Sequence, residues 1–275
     1  MISVLLAIVG LVAGLMGGLL GIGGSIIMIP CMRELVPLGG GRLDQHLYQA
    51  AAMIVNFFVV TPSVYQHLRA RAVVWPVVRL LTPTASVAVI AGVMLSEMPV
   101  FRDGGEAYLA GIFGLFLFFE AGVNFHKLLT HPDGPHGEGC NPDPSPWYTH
   151  VLVGVAVGIV GGLLGVGGGI VSVPLQQRFL RMPLRNAIAN SAATIVVLSL
   201  IGASMKNYEL ITGHAYSLRD PVLLAAVLVP TAMIGGLFGG RLTHTLPLRA
   251  IRGAFGLLML VVAIRMIAPA AGHLF

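Results

Sequence analysis

The residues best placed for chemistry in this chain are glycines. Residues 18–30 read GLLGIGGSIIMIP, and residues 162–174 read GLLGVGGGIVSVP. Eight of the thirteen positions agree, at a constant offset of 144 residues. Each copy interrupts an apolar run and ends on proline. Glycine has no β-carbon, so a ligand can approach the main-chain N–H groups directly. A helix that starts after such a break has first-turn N–H groups without helical partners, at the positive end of its dipole. That is chemistry for a small anion, held without a costly buried arginine. The candidate positions are Gly21, Gly23, Gly24 and Ser25 in the first copy, and Gly165, Gly167, Gly168 and Gly169 in the second. The plainer alternative is that these glycines only let helices pack closely. Two matched copies, each followed by proline at the same spacing, favour the ligand reading. A dinucleotide loop is disfavoured, because GVGGGI lacks the soluble βαβ setting that motif needs.

Other polar residues fall within apolar segments. Gln49 and Asn56 lie on the second segment of the first half, and Asn190, Ser191 and Thr194 on its counterpart. Asn190 and Thr194 are four apart and share a helix face. All five could offer hydrogen bonds to a bound anion, with interhelical bonding as the alternative. Glu120 stands among phenylalanines in LFLFFEAGVNF, a candidate carrier of a coupling proton. Its repeat counterpart is Val262, and Asn124 lies one turn beyond to satisfy it. His46 and His67 flank the second segment and read as interfacial. His131, His136, Cys140 and His150 match no metal-ligand spacing, so no metal and no cofactor are expected. Pro83 and Pro230 interrupt helices, and Pro30 and Pro174 close the glycine motifs; all four are candidate hinges.

These residues need elements that hold them inside a membrane. Of the 275 residues, 56% are hydrophobic and 10% charged, against about 25% charged in soluble domains. Eight apolar segments can be marked, at about 2–35, 45–64, 74–95, 107–129, 150–173, 186–204, 221–242 and 250–267. This is an all-α integral membrane protein; the short alternating strands of a β-barrel are not seen. The start, MISVLLAIVG, lacks the positive region of a cleaved signal peptide. The net charge of +5 sits mostly in loops, and no nucleic-acid partner is expected.

The chain is also a repeat. PTA at 83–85 returns at 230–232, GIFGL at 111–115 returns as GAFGL at 253–257, and QAAAMIV at 49–55 pairs with NSAATIV at 190–196. The division is 1–129 for the first membrane repeat, 130–149 for a cytoplasmic linker, and 150–275 for the second repeat. A continuous helix over 2–35 would run about 50 Å, whereas the hydrocarbon core is about 30 Å thick. A glycine-broken helical hairpin fits, followed by three transmembrane helices. Each half then crosses an odd number of times, and the two repeats have inverted topology. Inversion places ten of the sixteen Lys and Arg on one face, against nine without the hairpin. In each pair of equivalent loops it also brings the richer one to that face, the cytoplasmic one. Both termini are then periplasmic.

The paired glycine motifs, the PTA repeats and the two-half layout resemble the TauE/SafE sulfite exporter family, also called TSUP, over nearly the whole chain. The resemblance implies a multi-pass transporter of the bacterial cytoplasmic (inner) membrane. Its substrates would be small sulfur oxyanions or organosulfonates: sulfite, sulfoacetate, thiosulfate. Alternating access, export and proton coupling are the expected features. The lipid bilayer is the expected surrounding, and a homodimer is left open. The contrasting reading is a membrane redox or assembly protein using Cys31 and Cys140. No enzyme motif such as HExxH or GxSxG is present.

Overall fold

The computed structural model describes residues 2–36, 42–96, 98, 106–130, 145–213 and 217–272. Among them there are ten α-helices and no strand. In order they are α1 (Ile2–Leu20), α2 (Ser25–Leu35), α3 (Arg42–Arg69), α4 (Trp75–Ser96), α5 (Glu106–Thr130), α6 (Trp147–Leu164), α7 (Gly169–Phe179), α8 (Leu184–Gly213), α9 (Arg219–Thr245) and α10 (Leu248–Gly272). The protein is thus an all-α membrane protein, and six of these helices are long and apolar enough to cross a bilayer. The first apolar segment is split by its glycines into α1 and α2. The fifth is split into α6 and α7, and α7 runs on to Phe179. At 11 residues each, α2 and α7 span only about 17 Å. Residues 131–144 of the expected linker, with His131, His136 and Cys140, lie outside the described residues, as do the side chains of His46 and Lys127.

Two compact units emerge, and each draws on both sequence halves. One comprises Met1–Val93 with Pro142–His244, and the other Met94–Asn141 with Thr245–Phe275. The second unit pairs α5 with α10. Leu117, Glu120, Ala121 and Asn124 of α5 are buried, as are Ile251, Phe255, Met259 and Ala263 of α10. Each set recurs every three or four residues, the stripe of one packed helix face. The ring of Phe125 lies over Gly256.

The first unit is built on α3 and α8, whose spans are 67% and 61% buried, against 33% for that of α9. The two run antiparallel: Gly202 of α8 faces Met53 of α3, while Asn186 and Asn190 reach Ala72 and Val74 beyond the end of α3. Both helices carry small, fully buried residues, Ala50, Ala51 and Ala52 on α3 and Ala187, Ala189 and Ala192 on α8. In lipid, small side chains bring helices together and large ones face out. On α1 this is plain: Gly10, Ala13, Gly14, Gly17 and Gly18 are buried, whereas Val4, Leu5, Ile8, Leu11 and Val12 are exposed.

The packing of the outer helices is reciprocal. A β-carbon on Gly10, Gly14 or Gly18 of α1 would strike the main chain of Leu228, Ala232 or Gly236 on α9. A β-carbon on Gly154, Gly158 or Gly162 of α6 would strike Leu81, Ala85 or Val89 on α4. The two contacts are one contact with the halves exchanged. In each, the glycine helix runs parallel to its partner. Thr231 and Thr84, beside the PTA prolines, both turn their hydroxyls back to a carbonyl three residues earlier, Leu228 O and Leu81 O.

Candidate anion site at the paired helix breaks

Between α1 and α2 the chain turns at Gly21 (φ +63°) and Gly23 (φ +75°). Between α6 and α7 it turns at Gly165 (φ +67°), Gly167 (φ +71°) and Gly168 (φ +76°). Residues with a β-carbon avoid this left-handed region. At Gly168 space forbids one too, since a β-carbon there would meet Val157 O at 2.6 Å. The glycines are therefore the means by which a membrane helix stops and restarts.

The two breaks touch. Ser25 Oγ donates to Val166 O at 3.1 Å, and a β-carbon on Gly169 would lie 2.5 Å from Ile22 Cα. Asn56 of α3 stands beside both. Its Oδ1 accepts from the N–H groups of Gly24 (2.7 Å) and Ser25 (3.1 Å), and its Nδ2 donates to Ser25 Oγ (3.0 Å). The same Nδ2 would lie 3.2 Å from a β-carbon on Gly167. Asn56 thus caps the start of α2 from another helix. At the start of α7 no such bond from a side chain is found among the described residues. A β-carbon on Gly169, its first residue, would meet Ile22 Cα and Ile195 Cδ1, each at 2.5 Å.

The other expected ligands divide into those at the breaks and those beside them. Ser191 Oγ donates to Gly21 O at 2.6 Å, which fixes the first turn. Gln49 Nε2 donates to Leu164 O at 3.3 Å, at the end of α6. Its Oε1 is buried and has no hydrogen-bond partner among the described residues. Asn190 is committed on both sides: Oδ1 accepts from Val74 N at 2.8 Å, and Nδ2 donates to Gln176 Oε1 at 3.2 Å. Gln176 in turn donates to Ser172 Oγ at 2.9 Å. Asn190 therefore ties the α3–α4 turn to α7. Thr194 Oγ1 lies 3.1 Å from Thr82 Oγ1 and links α8 to α4 just ahead of Pro83.

Glu120 belongs to the other unit and is buried there. Asn124 does not bond its carboxylate; its Nδ2 donates to the Glu120 main-chain oxygen at 2.9 Å. Pro30, Pro174, Pro83 and Pro230 all lie inside helices, with Pro174 buried and Pro83 and Pro230 exposed on the outer face. Cys31 is partly buried on α2. His150 is buried at the start of α6, its Nδ1 3.4 Å from Pro146 O. Among the described residues no three His, Cys, Asp or Glu side chains gather as metal ligands.

His67, in the last turn of α3, is fully buried between helices, bonded to Ser63 and to His244 of α9. Ser63, Thr243 and His244 carry no motif, and their partners are far off in sequence. Only the spacing of Ser63 and His67, one turn apart, hinted at a shared face.

Paired glycine-broken helices that meet among membrane spans are the frame of a membrane transporter. The chain belongs to the sulfite exporter TauE/SafE family, whose model matches residues 6–266. It is 28% identical to the probable membrane transporter protein MamO of Magnetospirillum gryphiswaldense over 95% of this chain and 44% of that one. It is 24% identical to the probable membrane transporter protein MJ0441 of Methanocaldococcus jannaschii, over 94% of this chain and 95% of that one. The identity is again 24% with the probable membrane transporter protein YunE of Bacillus subtilis, over 96% and 97%. The chain therefore spans less than half of the MamO length and nearly all of the other two. No solved structure matches it significantly.

Proposed function

We propose that the protein is a secondary transporter that carries a small sulfur-containing anion (sulfite, sulfoacetate or another organosulfonate, or thiosulfate) through the bacterial inner membrane by alternating access. The observation that carries this reading is the meeting of the two breaks, with Ser25 bonded to Val166 and Asn56 standing between. The start of α7 supplies N–H groups and a positive dipole end with no side-chain cap among the described residues. Gly21, Gly23, Gly24, Ser25, Gly165 and Gly167 to Gly169 form the binding surface, with Asn56, Gln49 and Ser191 around it. Asn190 and Thr194 hold the helices that carry it. The antiparallel run of α3 and α8 and the reciprocal α1–α9 and α6–α4 contacts support inverted repeats. Rocking of one half against the other, with bends at Pro30, Pro174, Pro83 and Pro230, opens the site to either side. The inside-negative potential drives an anion outward, which favours export. Glu120 is the candidate for a coupling proton.

Thermal unfolding of the detergent-solubilised protein tests the site. An anion at one hundred times its Kd stabilises by about 2.7 kcal/mol. Sulfite, thiosulfate, taurine and sulfoacetate are screened against chloride. At least one sulfur anion raises Tm, and Gly168→Leu removes both that shift and flux into proteoliposomes while the protein still inserts. A screen in which no sulfur anion outdoes chloride, or a Gly168→Leu protein with undiminished flux, overturns the reading.

A further inference from the structure

The last turns of α3 and α9 hold a histidine pair that the glycine breaks do not use. His67 Nδ1 and His244 Nε2 lie 2.8 Å apart, with the rings at 76°. His67 Nε2 is 3.2 Å from Ser63 Oγ, and that hydroxyl is 3.1 Å from Gly18 O. A carbonyl oxygen can only accept. Ser63 therefore donates to Gly18 and accepts from His67 Nε2–H. A neutral ring protonated at Nε2 accepts at Nδ1, so His244 Nε2–H is the donor to His67. The acceptor-only end of the chain thus assigns each proton. The lone pair left over is that of His244 Nδ1.

This chain of bonds closes on the end of α1. Gly18 O and Leu19 O are among the last carbonyls of that helix, which the helix itself leaves without partners. Ser63 of α3 caps the first, and Thr243 of α9 donates to the second at 2.8 Å. Gly240 lies against Ser63, where a β-carbon would meet Oγ at 2.7 Å. The junction of α1, α3 and α9 is therefore held by His67, His244 and the two hydroxyl residues beside them. It lies three residues ahead of Gly21, where the first break begins.

The surroundings decide how the junction meets a proton. His67 has no exposed surface, and His244 is partly covered. α1 carries no charged residue; α3 carries Arg69, α9 carries Arg241, and Arg185 of α8 acts electrostatically on His244. No carboxylate stands on any of these helix ends. An added proton goes to the free His244 Nδ1 and places an imidazolium beside Arg185, partly withdrawn from water and with no carboxylate on these helix ends, which is costly. Parting the helices gives that charge water.

We propose that His67 and His244 form a proton-binding latch: neutral, they close α9 onto α3 and the end of α1, and one added proton opens the junction. Closure and proton binding compete, so acid opens the latch and base closes it. The latch gives the first break a response to a proton gradient, whichever solute the protein carries.

Hydrogen–deuterium exchange of the full chain in lipid nanodiscs tests this without any solute. Exchange is compared at about pH 8 and about pH 5.5, a range that brackets imidazole titration, and corrected for its intrinsic pH dependence. In the wild type, exchange over 60–67 and 239–244 rises about tenfold on acidification. In His67→Gln and His244→Gln, which keep a donor and lose the proton site, it rises by less than about twofold. Thermal unfolding and gel filtration establish that the variants are folded; should His67→Gln not fold, His244→Gln at the partly exposed ring decides. A wild type that does not respond, or a folded variant that opens as the wild type does, overturns the latch. Neither result depends on a sulfur anion binding.

Discussion

Asn56 is the residue on which the two breaks depend unequally. Its repeat counterpart is Val197, an exposed apolar residue. The start of α2 is therefore filled by a carboxamide oxygen in the position an anion oxygen would take, and the start of α7 has no such cap among the described residues. Asn56→Ala leaves the N–H groups of Gly24 and Ser25 without their acceptor. Loss of a side-chain cap costs about 1 kcal/mol, which in a chain of this size lowers Tm by about 2–4 °C. Asn56→Asp keeps an acceptor for those donors but adds a negative charge beside the start of α7. Anion binding followed by thermal shift should then weaken by about tenfold or more, since a like charge costs well over 1 kcal/mol in a site shielded from water. Equal affinity in wild type and Asn56→Asp would place the anion elsewhere.

At the scale of elements, the sequence was informative where it carried local or repeated signals. The length of the 2–35 run and the glycines at its centre disclosed the α1–α2 hairpin, and the match at 162–174 disclosed the second. The apolar segments located every helix among the described residues, because in lipid the main chain must bond internally and apolar length follows bilayer thickness. Cross-helix partners were not legible. His67 and His244 are 177 positions apart, and nothing in local spacing joins them. Asn190 read as a ligand, yet its amide ties a turn to α7, because main-chain N–H groups such as Val74 N claim whatever acceptor is near. The glycines read as packing or as ligand surface, and the structure separates two uses: Gly14 and Gly158 pack within α1 and α6, whereas Gly23 and Gly168 turn the chain beyond those helices. That division gives a test. Gly158→Ala puts a β-carbon 2.6 Å from Ala88 Cβ, an overpacking that costs about 1–3 kcal/mol. Gly14→Ala should cost a similar amount, through Ala232. Gly122→Ala meets nothing within 4 Å, and should be neutral or stabilising by about 0.5–1 kcal/mol, because alanine is the better helix former. Thermal unfolding of the three variants measures the order, and a Gly158→Ala protein as stable as Gly122→Ala would refute the close α4–α6 contact.

For the whole molecule the question is whether the halves are inverted in the membrane. The packing of the first unit supports inversion through direction alone. The equivalent helices α3 and α8 are antiparallel, so the turn after α3 and the turn after α8 leave at opposite ends of that pair. The α3–α4 turn carries Arg69 and Arg71, both exposed, and lies by the start of α8, near Arg185. The residues between α8 and α9 are poorer in basic groups, with Asp220 bonded to Ser217 N at 3.0 Å. Positive loops stay in the cytoplasm, so the inverted arrangement predicts the first turn inside and the second outside. Ala70 and Ser217 are exposed representatives of the two. In a background with Cys31→Ser and Cys140→Ser, Ser217→Cys should react with a membrane-impermeant maleimide added to intact cells. Ala70→Cys should react only after the membrane is opened. Labelling of both from the same side would make the halves parallel rather than inverted. The two breaks could then no longer alternate as the outer and inner entrances to one site, and the reciprocal contacts would need an axis along the membrane normal instead.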